Sequence, residues 1–132
     1  ILPGVIVDGA HNADGVARFV ETVEHFRKEN RIVLLFSAVA DKQYEEMIRL
    51  VCEKIRPQAV VTTQIGGTRE IPAEKLAERF VRQGVPCVRA NPVPGQALRE
   101  ALELKEDGMV FCVGSLYLIG EIKASLREEK IC

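Results

Sequence analysis

Apolar runs alternate with apolar stripes at helical spacing along the whole chain. The first run, Val5-Ile6-Val7, stops at Asp8-Gly9-Ala10-His11-Asn12, after which Val16, Phe19, Val20, Val23 and Phe26 recur every three or four residues. This pattern predicts a buried strand, a tight turn, and a helix with Asn12 or Asp14 at its N-cap. Arg31 to Val39 (RIVLLFSAV) is a second, nearly continuous apolar run, as expected for a strand covered on both faces. Asp41-Lys42-Gln43 then opens a helix with Tyr44, Met47, Ile48, Val51 and Ile55 on one stripe, closed by Pro57. Gln58 to Thr63 predicts a third strand, and Pro72 is placed in the first turn of a third helix that Gly84 ends. Pro86 to Ala90 predicts a fourth strand, Asn91 to Gly95 a turn, and about Gln96 to Leu104 a fourth helix. Met109 to Val113 predicts a fifth strand, and Gly114-Ser115 launches a final helix.

Strands alternating with helices predict a Rossmann-like three-layer α/β domain, with a mostly parallel sheet of five or six strands flanked by helices. Every turn that follows a strand then lies along one edge of the sheet, where ligands bind in open α/β folds. Asp8 and His11 are therefore offered at a mouth rather than in a core. The same turn also suits plain capping by Asp8 and Asn12 with an exposed His11, so two readings stand.

At 132 residues and 47% hydrophobic, the chain suits one compact domain, expected over residues 1–132. A net charge of −1 gives no electrostatic case for nucleic acid or an anionic membrane surface, and 5% aromatics without Trp argues against base stacking. No run approaches membrane-spanning length. Cys52, Cys87, Cys112 and Cys132 form no C-x-x-C pair, which predicts free thiols in a reducing cytoplasm. With only His11 and His25 available, no metal site is expected. The opening Ile1, with a strand almost at once, suggests a segment of something longer.

Familiar chemistries fail at the turns. None carries G-x-G-x-x-G, and the phosphate loop G-x-x-x-x-G-K-[ST] is absent. A phosphoacceptor receiver would need an acid after the third strand and a Lys after the fifth; this chain has Thr62-Thr63-Gln64 and Gly114-Ser115. Ser115 lacks a G-x-S-x-G elbow, and reads as a helix cap or as a donor to an anion at that helix end.

Three stretches in order, VIVDGAHN, FSAVADKQYEEM and VFCVGSLYLIGEIK, resemble the C-terminal domain of folylpolyglutamate and dihydrofolate synthases, in the Mur ligase superfamily. The resemblance covers essentially the whole chain and implies an ATP-dependent ligase that adds glutamate to folates through an acyl phosphate. It implies that Asp8 and His11 contact the nucleotide and that Lys42 and Ser115 bind the carboxylate of the incoming glutamate. No catalytic residue and no metal ligand is assigned here. ATP with Mg²⁺ belongs to the full-length enzyme, the metal held mainly by an N-terminal P-loop domain that acts as this domain's partner. A cytoplasmic monomer, active only when full-length, is the corresponding expectation. The second turn reads Ala-Asp-Lys-Gln where many relatives place another acid after the lysine. A non-catalytic α/β module binding a small anion or a protein partner is the rival reading.

Overall fold

The computed structural model describes residues 5–7, 18, 20–24, 31–37, 44–64, 71–106 and 108–113. Five strands pair entirely in parallel: β1 (Val5–Val7), β2 (Ile32–Phe36), β3 (Ala59–Thr62), β4 (Cys87–Ala90) and β5 (Met109–Val113), in spatial order β1-β5-β2-β3-β4. Four helical stretches accompany them: residues 20–24 (α1), Tyr44–Lys54 (α2), Ala73–Arg82 (α3) and Pro94–Lys105 (α4).

The central strand explains the layering. Residues 32–36 are all buried, so β2 has no solvent face and both sides need covering. Ile32, Leu34 and Phe36 join Val60 and Phe111 on one face, under Val23 of α1, Met47, Ile48 and Val51 of α2, and Leu76 and Phe80 of α3. Val33 and Leu35 join Ala59, Val61, Val110 and Cys112 on the other, under Ala97, Leu98 and Ala101 of α4. The strand's period of two thus sorts one apolar run into two cores. Phe36 and Phe80 meet edge to face with centroids 5.1 Å apart, joining the sheet to α3.

Boundaries differ from the sequence expectation at two prolines. Pro72 is the cap before α3 rather than part of its first turn. Pro94 is helical: α4 begins there, two residues ahead of the expected Gln96, because proline's fixed φ suits a first helical position and costs no hydrogen bond there. Gly84 ends α3 at φ 90°, as a glycine after a helix does at little steric cost. The expected last helix after Ser115 lies outside the described residues.

Gly108 sets the entry to β5. A side chain there would collide with the carbonyl oxygen of Arg31. That oxygen accepts from Met109 N–H at 2.7 Å, while Arg31 Nε donates to Leu104 O at 2.8 Å. Gly108→Ala should lower stability by about 1–3 kcal/mol, since the new carbon meets backbone that cannot yield without loosening this latch; urea unfolding would measure the loss.

The cysteines follow the layers. Cys52, Cys87 and Cys112 are free thiols. Burial pushes Cys112 from an ordinary 9.0 up to about 12; burial, helped by the neighbouring Glu53 carboxylate, does the same to Cys52. The folded chain therefore keeps protons that the unfolded chain releases above about 9, and stability falls as pH rises through the window from about 9 to about 12. Urea midpoints at about pH 8 and about pH 10 should show this fall, and the Cys52→Ala, Cys112→Ala double variant should show a shallower one.

Candidate functional site

With all pairings parallel, the carboxyl ends of the strands share one edge. The ladder runs one residue past the ends of β3 and β4: Thr63 N–H donates to Phe36 O and Asn91 N–H to Thr62 O, each at 2.9 Å. Ser37, Thr63 and Asn91 consequently stand in line just beyond the strands. The chain leaves β2 and β3 toward helices of one face, α2 and α3, and leaves β4 toward α4 on the other. The sheet thus has a topological switch between β3 and β4, the position at which open α/β sheets form a binding crevice.

Polar side chains fasten the helix starts to this edge. Thr62 Oγ1 donates to Ala73 O at 2.6 Å, and Ala73 N–H donates to Gln64 Oε1 at 3.0 Å, so both main-chain groups at the first residue of α3 are held by the end of β3. Asn91 Oδ1 accepts from Val93 N–H at 2.9 Å, a side-chain turn that leads into α4. No side chain caps α4 itself, and its first turn has no acid. Its N-terminal end thus keeps the positive end of the helix dipole unanswered by a first-turn carboxylate.

Two hydroxyls are not used in this way. Ser37 Oγ and Thr63 Oγ1 are fully buried and have no hydrogen-bond partner among the described residues. In the sequence Ser37 ends an apolar run and opens the turn after it, and Thr63 borders the same edge, but the pattern assigns neither a role. The available signal was a hydroxyl placed where each buried strand ends.

Asp8, His11, Lys42 and Ser115 lie outside the described residues. The strands that lead to three of them can be placed. Val7, which precedes Asp8, is in register with Cys112, three residues before Ser115, and Val113 is in register with Phe36 at the end of β2, the strand before Lys42. β1, β5 and β2 are neighbours, so these segments set out from adjacent positions on the carboxyl edge.

Elsewhere, a groove of about 520 Å³ between α2 and α3 is lined by Glu45, Glu46, Arg49, Arg79 and Arg82 among others. Its arginines are paired, Arg79 with Glu45 at 3.0 Å and Arg49 with Glu46 at 3.8 Å inside the groove, and Arg49 with Glu53 at 3.1 Å and Arg82 with Glu78 outside its lining. Among the described residues, no cluster of His, Cys, Asp or Glu could hold a metal ion, and no helix is long and apolar enough to cross a membrane.

Comparison with known proteins gives the family. Residues 3–116 match the model of the Mur ligase glutamate ligase domain. A probable bifunctional folylpolyglutamate synthase/dihydropteroate synthase of Haloferax volcanii is 31% identical over 124 residues, covering 93% of this chain and 14% of that protein. The dihydrofolate synthase/folylpolyglutamate synthase of Bacillus subtilis is 28% identical over 127 residues, covering 95% of this chain and 28% of that protein. A Mycobacterium tuberculosis folylpolyglutamate synthase, solved with ADP and AMPPCP, superposes with a TM-score of 0.80 at 25% identity, over 92% of this chain and 29% of that one. The chain spans less than a third of each of these relatives. By the family match over residues 3–116, and by a parallel α/β fold shared with a synthase of known structure, this chain belongs to the Mur ligase family as a glutamate ligase domain.

Proposed function

We propose that this chain is the C-terminal domain of a longer ATP-dependent folylpolyglutamate or dihydrofolate synthase. The observation that carries the reading is the glutamate ligase family match, which spans both the Asp8 turn and the start of the Ser115 segment. The parallel pairing of β1 with β5 supports it, since those two motifs follow adjacent strands on one edge. In the proposed reaction ATP transfers its γ-phosphoryl group to a folate or dihydropteroate carboxylate with release of ADP, the amine of glutamate attacks the acyl phosphate, and an amide forms with release of phosphate.

In this reading Asp8 accepts hydrogen bonds from the ribose hydroxyls and His11 contacts the same nucleotide. Lys42 supplies a cation, and Ser115 a hydroxyl at a helix start, to the carboxylate of the incoming glutamate; both donor types suit an anion. The metal that accompanies ATP belongs with the partner N-terminal P-loop domain. The whole enzyme acts as a cytoplasmic monomer, and this domain closes over the partner's phosphate site.

Phosphate release dependent on ATP and glutamate, with dihydropteroate and reduced folates offered separately, tests the reading. The full-length polypeptide should release phosphate and residues 1–132 alone should not. In the full-length protein Asp8→Ala should raise the KM for ATP and Ser115→Ala the KM for glutamate, each by about tenfold or more, as for loss of a hydrogen bond to a charged or multiply bonded ligand. Absence of release with every folate acceptor would point instead to a Mur-like fold with another substrate or to a binding module.

A further inference from the structure

The Ser37 and Thr63 hydroxyls carry an inference that rests on the ligase reading and extends it. Phe36 and Thr62 are in register, so Ser37 and Thr63 occupy the next rung of adjacent strands, about 4.8 Å apart. Strand alternation puts both on the side of Leu35 and Val61, the face covered by α4. Thr62 confirms the alternation by turning its hydroxyl to the other face, onto Ala73 of α3. α4 lies over Leu35 and Val61 through Ala97 and Leu98, one turn from its first residue, Pro94. The hydroxyls therefore point from the sheet toward the uncapped, acid-free start of α4.

A buried hydroxyl without a partner loses its bonds to water and gains nothing, so its retention calls for an acceptor. Three surrounding features favour an anion. Two neutral O–H donors share one rung, the positive end of a helix faces them, and Arg89 projects from β4 on the same side, two residues beyond Cys87, which packs in that core. Half-buried Glu100 on α4, whose Oε2 is buried and also lacks a partner among the described residues, opposes an anion but is six residues past Pro94, about 9 Å along the helix axis.

We infer that Ser37 Oγ and Thr63 Oγ1 donate to one oxyanion of the bound substrates, either the carboxylate of the amino acid or a phosphoryl oxygen. The two donors straddle the group, and the start of α4 adds its dipole. Both hydroxyls are closed off from solvent in the ligand-free chain, so uptake requires local opening of this edge.

The test uses Ser37→Ala, Thr63→Val and Thr63→Ser in the full-length polypeptide, with Thr62→Val as a control whose hydroxyl is already bonded. Ligand-free Tm should fall for Thr62→Val and stay level or rise for Ser37→Ala and Thr63→Val, because removing an unpaired buried hydroxyl costs no hydrogen bond. KM should rise about tenfold in those two variants with kcat little changed, and Thr63→Ser should restore it. A rise in the KM for glutamate identifies the carboxylate, and a rise in the KM for ATP identifies the phosphoryl group. A fall in Tm matching Thr62→Val would show that the hydroxyls are paired without ligand and would overturn the inference, as would unchanged KM for both substrates. A wild-type protein without glutamate-dependent turnover would instead overturn the ligase reading. In that case thermal shift with orthophosphate decides: a shift in wild type that both variants lose supports the oxyanion site, and no shift in wild type overturns it.

Discussion

The parallel ladder through β2 is the constraint on which the rest of this domain depends. Its residues 32–36 pair with β3 on one side and β5 on the other and are buried on both faces. A strand enclosed in this way satisfies its main chain only through its neighbours, because water reaches neither side. Covering it demands helices above and below, and parallel neighbours demand crossovers that return each time to the same end. The turns after the strands are thereby gathered on one edge before any of their side chains matters. Ligand chemistry in this fold is a consequence of how its backbone is paired.

The same geometry explains what could be read from the linear sequence. Four of the five strands stand out as short apolar runs, the exception being β4 with Arg89, and the stripe Met47, Ile48, Val51 of α2 and the pair Leu76, Phe80 of α3 fall where helical spacing places them. Pro94 did not, because a proline beside Asn91 and Gly95 reads equally as a turn or as a first helical residue; the Asn91 bond to Val93 decides between them. The order β1-β5-β2-β3-β4 is not legible either: Arg89 marks β4 as an edge strand, but the other runs are apolar enough to exchange places. Of the candidate site, the edge was legible and its occupants were only partly so. Asp8, His11, Lys42 and Ser115 stood out by residue type and by family resemblance, and they lie outside the described residues. Ser37 opens a turn on that edge but carries no role in the sequence, because what sets it apart, an unanswered hydroxyl beside Thr63, exists only once β2 and β3 are paired.

The distribution of charge supports a division of labour within the domain. Arg49, Arg79 and Arg82 are spent on carboxylates of the outer helices, in exposed pairs that contribute little to stability. The described part of the edge instead buries neutral groups: Ser37, Thr62 and Thr63. An ionised group in that position would require several kcal/mol of desolvation whenever the site stood empty, whereas an unpaired hydroxyl costs about 1–3 kcal/mol. In the proposed ligase, where half of the active site lies on another segment, the domain is better served by donors that tolerate waiting. Once an anion is present, those donors sit in a dry environment where each hydrogen bond to charge is at its strongest. Neutral donors at depth would then answer two different demands, stability of the empty fold and recognition of an anion.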